Sequence, residues 1–187
     1  EYTEFQSQLL ERWLSTDEVI NQFLVHYKTA AVIPQKLVAK IKKAATFNQG
    51  FGTTEYLASA LMDMKLHLAD HENIDIDAFE RQTLADLKMP TELPMRHRTP
   101  HFGHVFSGEG YATAYYGYMW ADVLTADAAE AFQEAPGGFY DKDLAQRLVK
   151  YLFEPRNSID PAEAYRLFRG RDAKIEALMR DRGFPVN

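Results

Sequence analysis

Three tyrosines, Tyr111, Tyr115 and Tyr118, follow one another at intervals of four and three, directly after Phe102-Gly103-His104-Val105-Phe106-Ser107-Gly108-Glu109-Gly110. At about 100° per residue this spacing predicts one narrow helical stripe of phenols, with Ala112, Tyr116, Trp120 and Val123 gathered on another face. Phenol hydroxyls so aligned can donate hydrogen bonds to a carbonyl, a carboxylate or a developing oxyanion. Tyrosines at helical spacing also simply pack. The adjoining loop shifts the balance toward a site: it carries His104, and glycines at Gly108 and Gly110 permit mobility and close approach of a ligand to the backbone.

Two further histidine groupings offer metal-ligand chemistry. His67-Leu68-Ala69-Asp70-His71 places two imidazoles four apart on a helix, with Asp70 where an inverted zincin motif carries Glu. Its position at a predicted helix end also suits histidine for ordinary dipole reasons. His97, His101 and His104 lie in a proline-interrupted loop, where neutral imidazoles lack a carboxylate or a fixed helix to preorganise them. Cysteine is absent, so a metal in this chain would rely on His, Asp or Glu. The 27 acidic residues are scattered over helix faces and localise no carboxylate pair.

The elements that must position these residues read as helices throughout. Apolar spacing through Leu9, Leu10, Trp13, Leu14, Val19, Ile20, Phe23 and Leu24 predicts two helices parted by Ser15-Thr16-Asp17. Pro34 opens a third, with Leu37, Val38 and Ile41 on its inner face and the lysines at 36, 40, 42 and 43 in water. Gly50 to Thr54 reads as a break before a helix over Tyr56 to Leu68, and Asp75 or Asp77 caps one ending near Leu87. Residues 88–110 form a long irregular loop with Pro90, Pro94 and Pro100, and loops of this length inside compact domains are usually functional or disordered. A helix is predicted from Tyr111 to Phe132, closed by Ala135-Pro136-Gly137-Gly138, and another after Asp141. Asp160-Pro161 starts the next, and the last runs from Asp172 to Arg182 before Gly183. No alternating strand pattern occurs, so the expected class is all-α.

The chain has 187 residues, 46% of them hydrophobic, which suffices for a substantial core. Its net charge of −6 gives no attraction to nucleic acid or to an anionic membrane, and no apolar run approaches the roughly 20 residues of a membrane span. The start at Glu1 lacks a signal-peptide pattern and reads as a position inside a longer protein.

The segment Gly110-Tyr111 with Tyr115-Tyr116-Gly117-Tyr118 and Trp120, after Phe102-Gly103-His104, resembles the C-terminal region of the zinc metallopeptidases that include thimet oligopeptidase, neurolysin, oligopeptidase A and bacterial peptidyl-dipeptidase. The tail, with Asp160-Pro161, Phe168-Arg169-Gly170-Arg171-Asp172 and Leu178 to Phe184, resembles that family's last helices. Glu1 to Trp13 resembles its Asp-Phe-Val-Glu-x-Pro-Ser-Gln segment, differing at Glu1, Thr3 and Gln6.

The resemblance implies the C-terminal part of a zincin-type catalytic lobe, with Glu4 as third ligand to one Zn2+. The His-Glu-x-x-His motif with the other two ligands and the general base is absent from this chain and expected upstream. Tyr111 and Tyr118 would contact substrate and stabilise the tetrahedral intermediate, with His104, Tyr115, Gly108 and Gly110 binding peptide. The implied reaction is hydrolysis of short peptides, at internal bonds or by releasing C-terminal dipeptides, and Ser107 and Glu109 look nearer to the bacterial peptidyl-dipeptidases. A cytoplasmic location is also implied. Without the upstream partner segment the chain is expected to be inactive, zinc-free or weakly zinc-binding, and prone to self-association. The alternative is a noncatalytic helical peptide-binding module.

Overall fold

The computed structural model describes residues 2–70 and 72–186. The protein is all-α: among the described residues, β-pairing is limited to one antiparallel bridge between Val25 and Val32. Helix α1 (Phe5–Glu11) continues into a 3-10 turn at Arg12–Ser15. Thr16 then swings into extended backbone, and its hydroxyl accepts the Val19 N–H at 3.4 Å to start α2 (Asp17–Phe23). The chain proceeds through α3 (Gln35–Ala44), α4 (Gln49–Leu68), α5 (Ile76–Asp86), α6 (Gly103–Phe106), α7 (Gly117–Glu134), α8 (Lys142–Leu148), α9 (Pro161–Arg169) and α10 (Ile175–Asp181).

Aspartate caps fall where the sequence places them. Asp75, Asp141 and Asp160 accept the N–H groups of Ala78, Leu144 and Glu163 at 3.0, 2.9 and 3.0 Å, each satisfying a donor that the first turn leaves unpaired. Gly170, at φ 81°, ends α9 in the left-handed conformation that an L-residue adopts only with strain.

Three expectations fail locally. No break separates Gly50 from Thr54, because α4 starts after Asn48 and runs through both glycines. Each helical glycine costs about 1 kcal/mol against alanine, which a 20-residue helix anchored by buried Ala58, Met62 and Leu66 tolerates. Helix α10 begins at Ile175 rather than Asp172, because Asp172 pairs with Arg166 and the Lys174 N–H is taken by the Asp127 carboxylate at 3.4 Å. In α3 only Val38 is buried, while Leu37 and Ile41 are exposed.

Two compact units divide the chain: residues up to Phe47 together with those from Met119 onward, and Asn48–Tyr118. In the first, Phe5, Leu9, Phe132, Leu144, Leu148, Tyr165 and Phe168 make the core. Trp13 meets Phe132 edge-on at 5.1 Å, and its indole N–H donates to the Phe139 carbonyl at 2.8 Å. Within this apolar surround Asp127 is fully buried. Its carboxylate accepts from the Tyr165 hydroxyl at 2.8 Å and pairs with Arg169 at 3.2 Å and Arg171 at 2.8 Å. Burial, followed by the charge of Asp127, pushes the Tyr165 phenol far up, so it remains a donor at every ordinary pH. In the second unit, Ala58, Met62 and Met95 pack with Phe79, Leu84 and Met89. The buried Glu80 carboxylate takes the Thr99 N–H at 2.9 Å, the Thr99 hydroxyl at 2.8 Å and the Arg98 guanidinium at 2.5 Å, tying the proline-rich loop to α5.

Truncating the fully buried ring in Phe132→Ala should destabilise the protein by about 3–5 kcal/mol, measured by urea unfolding. A second expectation concerns acid. The Arg169 guanidinium holds the Glu134 carboxyl below its ordinary value, so that contribution is present above the unfolded carboxylate pKa and is lost as pH falls through the lower folded one. The Tm gap between wild type and Glu134→Gln should therefore close between about pH 6 and about pH 3. A gap that persists at the acid end would disprove this assignment.

Candidate functional site

Helix α7 begins at Gly117, six residues beyond the predicted start at Tyr111. Tyr111 closes a 3-10 turn, Glu109–Tyr111, and Thr113 has φ 60°, which no right-handed helix accommodates. The three tyrosines therefore do not form a stripe on one helix. The loop assembles them instead around an imidazole: the His104 ring stacks on Tyr111 at 4.9 Å and 17°, and lies 5.9 Å from each of Tyr115 and Tyr118. His104 Nε2 is 3.2 Å from the Tyr118 hydroxyl, and Tyr115 meets Tyr118 at 5.6 Å. His104 and Tyr111 are exposed, whereas Tyr115 and Tyr118 are half-buried. Four of the predicted site residues thus converge, by a backbone path that helical periodicity does not describe.

The path is set from below by α4. Asp63, 1% exposed, accepts the Thr113 N–H at 3.1 Å on one carboxylate oxygen and the Tyr115 N–H at 3.0 Å on the other. Two main-chain donors are thereby satisfied by a side chain, which lets the backbone turn at 113–115 rather than begin the helix at Tyr111. The Tyr56 hydroxyl donates to the Tyr115 carbonyl, and the two rings stack at 5.1 Å. Burial pushes the Tyr115 phenol up, with Arg96 opposing, so it stays protonated as a donor.

Asp63 is absent from the sequence reading. The signal that could have found it is an acid between Met62 and Met64 on an otherwise apolar stretch of helix, four residues before a histidine. His67 fills that place. Its Nδ1 lies 2.9 Å from an Asp63 carboxylate oxygen, and its ring stacks on Phe106 at 5.2 Å. The imidazole is thereby engaged within the fold, and His71, the second member of the predicted pair, lies outside the described residues. Of the other histidine grouping, His97 stacks on Phe102 at 5.0 Å while His104 turns to the tyrosines. Among the described residues no three His, Asp or Glu side chains gather as a metal-holding group.

Gly108 is in extended backbone, and a side-chain Cβ at Gly108 or Gly110 would meet nothing within 4 Å. The fold of the chain itself therefore does not demand glycine at either position. Glu4 belongs to the other compact unit, at the N-terminus of α1. It is half-buried, and the Ser7 hydroxyl reaches its Oε2 at 2.9 Å. That bond orients a carboxylate oxygen donor, the hard-to-borderline chemistry that a divalent zinc site accepts as one ligand among several.

The model of peptidase family M3 matches residues 1–184. The dipeptidyl carboxypeptidase of Escherichia coli is 34% identical over 190 residues, covering 100% of this chain and 27% of that protein. Oligopeptidase A of the same organism is 32% identical over 184 residues, covering 96% of this chain and 26% of its own length. The organellar oligopeptidase A of Arabidopsis thaliana is 32% identical over 189 residues, covering 96% and 23%. The chain spans 23–27% of the length of these curated relatives. From the match along nearly all its residues and the helical fold that carries it, this chain belongs to peptidase family M3.

Proposed function

We propose that this chain is the substrate-facing C-terminal part of a zinc-dependent oligopeptidase that hydrolyses short peptides. The observation that carries the reading is the cluster of His104 with Tyr111, Tyr115 and Tyr118, which brings phenol hydroxyls and an exposed imidazole together from the loop and the first turn of α7. Relatives bearing the names dipeptidyl carboxypeptidase and oligopeptidase A support a peptide substrate. Substrate-binding and transition-state groups must both be hydrogen-bond donors for this chemistry, since a peptide carbonyl and the oxyanion derived from it are acceptors.

In this reading the Tyr118 hydroxyl turns from His104 Nε2 to the scissile carbonyl oxygen, and its hydrogen bond strengthens as negative charge grows there. Tyr111 donates to the same region. His104 and Tyr115 orient the peptide, and Gly108 and Gly110 let its backbone lie close to the loop. Glu4, steadied by Ser7, is the zinc ligand contributed by this chain, and the remaining two come from a His-Glu-x-x-His segment elsewhere in the protein. When bound, zinc supplies Lewis-acid polarisation and a water of lowered pKa. Because the 187 residues contain no such motif, the chain by itself holds peptide without cutting it, the behaviour of a noncatalytic binding module.

The rest of the protein is also the proposed partner of the exposed apolar side chains in the first unit, among them Leu14, Phe23 and Tyr27, at 64%, 65% and 85% exposure. A lone chain that shows these residues to water should self-associate.

Zinc content and cleavage of a quenched fluorescent peptide, for this chain and for the longer protein, test the reading. One zinc and activity are expected only in the longer form, whereas stoichiometric zinc with hydrolysis by the chain alone would defeat it. In the longer protein Tyr118→Phe should lower kcat by roughly 10²–10³-fold with zinc retained. Glu4→Ala should weaken zinc binding by more than the roughly 10–100-fold typical of losing an outer-shell partner. Size-exclusion chromatography should find the isolated chain oligomeric, and a sharp monomer would contradict the exposed-face assignment.

A further inference from the structure

Asp63 and His67 lie outside the group that would touch a peptide, yet the turn they hold leads directly into Tyr115 and, at the start of α7, Tyr118. Asp63 is buried and occupies both carboxylate oxygens with main-chain donors of the loop, Thr113 at 3.1 Å and Tyr115 at 3.0 Å. His67, one helical turn on, places Nδ1 2.9 Å from that carboxylate and 2.8 Å from the Asp63 carbonyl, and its ring stacks on Phe106, near the loop's other end. Two side chains one turn apart on α4 thus brace the loop on both sides of Tyr111. The 113–115 turn bears a positive φ at Thr113, a conformation that a β-branched residue adopts only when its surroundings impose it. Met62, next to Asp63 and equally buried, packs in the apolar core instead.

We propose that Asp63, supported by His67, is the positioning residue of this peptidase site, fixing the 113–115 turn so that Tyr115 and Tyr118 meet the substrate. The inference rests on the peptidase reading above for its catalytic consequence, and on the hydrogen bonds alone for the brace. A carboxylate is required because both loop amides need acceptors. Asparagine keeps the size of the side chain but turns an N–H group toward one of those amides, so one of the two bonds is lost.

The test compares Asp63→Asn with Met62→Ala in the longer protein, the second variant serving as a structural loss at the adjacent buried position. Hydrogen exchange read by mass spectrometry should show residues 112–118 exchanging at least about tenfold faster in Asp63→Asn than in Met62→Ala at matched Tm. A double-mutant cycle supplies the catalytic half: Tyr118→Phe should lose roughly 100-fold in kcat in the wild type but less than about tenfold in the Asp63→Asn background, because a displaced tyrosine has little left to lose. Met62→Ala should lower Tm and leave the effect of Tyr118→Phe unchanged. If Asp63→Asn does not fold, His67→Ala at a partly exposed position should give the same faster exchange, over residues 103–118, and the same sub-additive cycle. Unchanged exchange in the loop, or additive losses in the cycle, overturns the proposal. A wild-type protein that cleaves no peptide would sink the peptidase reading instead, and loop exchange would then decide the brace by itself.

Discussion

A carboxylate taken out of water must be met by donors or be neutralised, and two such groups in this protein hold backbone beside helices that start later than periodicity predicts. Asp63 on α4 collects two amides of the loop before α7, and Asp127 on α7 collects Arg169, Arg171, the Tyr165 hydroxyl and the Lys174 amide. Neither is a surface ion pair of marginal value. Each accepts main-chain N–H groups in a turn or extended segment next to a helix start: Asp63 takes those of Thr113 and Tyr115, and Asp127 that of Lys174. Those helices are α7, which starts at Gly117, and α10, which starts at Ile175.

The consequence for the site is geometric. A helical stripe would have spaced the three phenols along one rod, each facing outward. The loop instead folds Tyr111 back so that its ring lies flat on His104, with Tyr115 and Tyr118 against the other sides of the imidazole. An aromatic cluster of this kind limits the rotamers of its members, which is the preorganisation that hydrogen-bond catalysis requires. Meanwhile Gly108 and Gly110 leave backbone uncovered beside it, although the fold has room for a side chain at both.

Family membership gives this arrangement a chemical direction. A peptidase needs donors for a carbonyl, a surface for the peptide chain and a source of activated water. The cluster gathers hydroxyl and imidazole groups able to donate hydrogen bonds, and the loop beside it is exposed. The chain covers about a quarter of the length of its relatives, and Glu4, held by the Ser7 hydroxyl, is an oriented carboxylate within it.

Most of the helices were legible in the sequence because local rules govern them: aspartate caps at Asp75, Asp141 and Asp160, proline at the first turn of α9, and apolar spacing on α1 and α2. The candidate site residues were named from types and order that resemble those of a known family, and of them the structure gathers His104, Tyr111, Tyr115 and Tyr118. What periodicity misread is what distant partners control. The continuous start of α4 through two glycines depends on burial further along the helix, and the exposure of Leu37 and Ile41 depends on what packs against α3. The turn at 113–115 depends on Asp63, some fifty residues earlier. The sequence by itself determined an all-α chain that carries three closely spaced phenols beside a histidine-bearing loop. Only the tertiary structure decided how the phenols converge, because the hydrogen bonds that bend the loop come from a buried side chain whose partners no local pattern reveals.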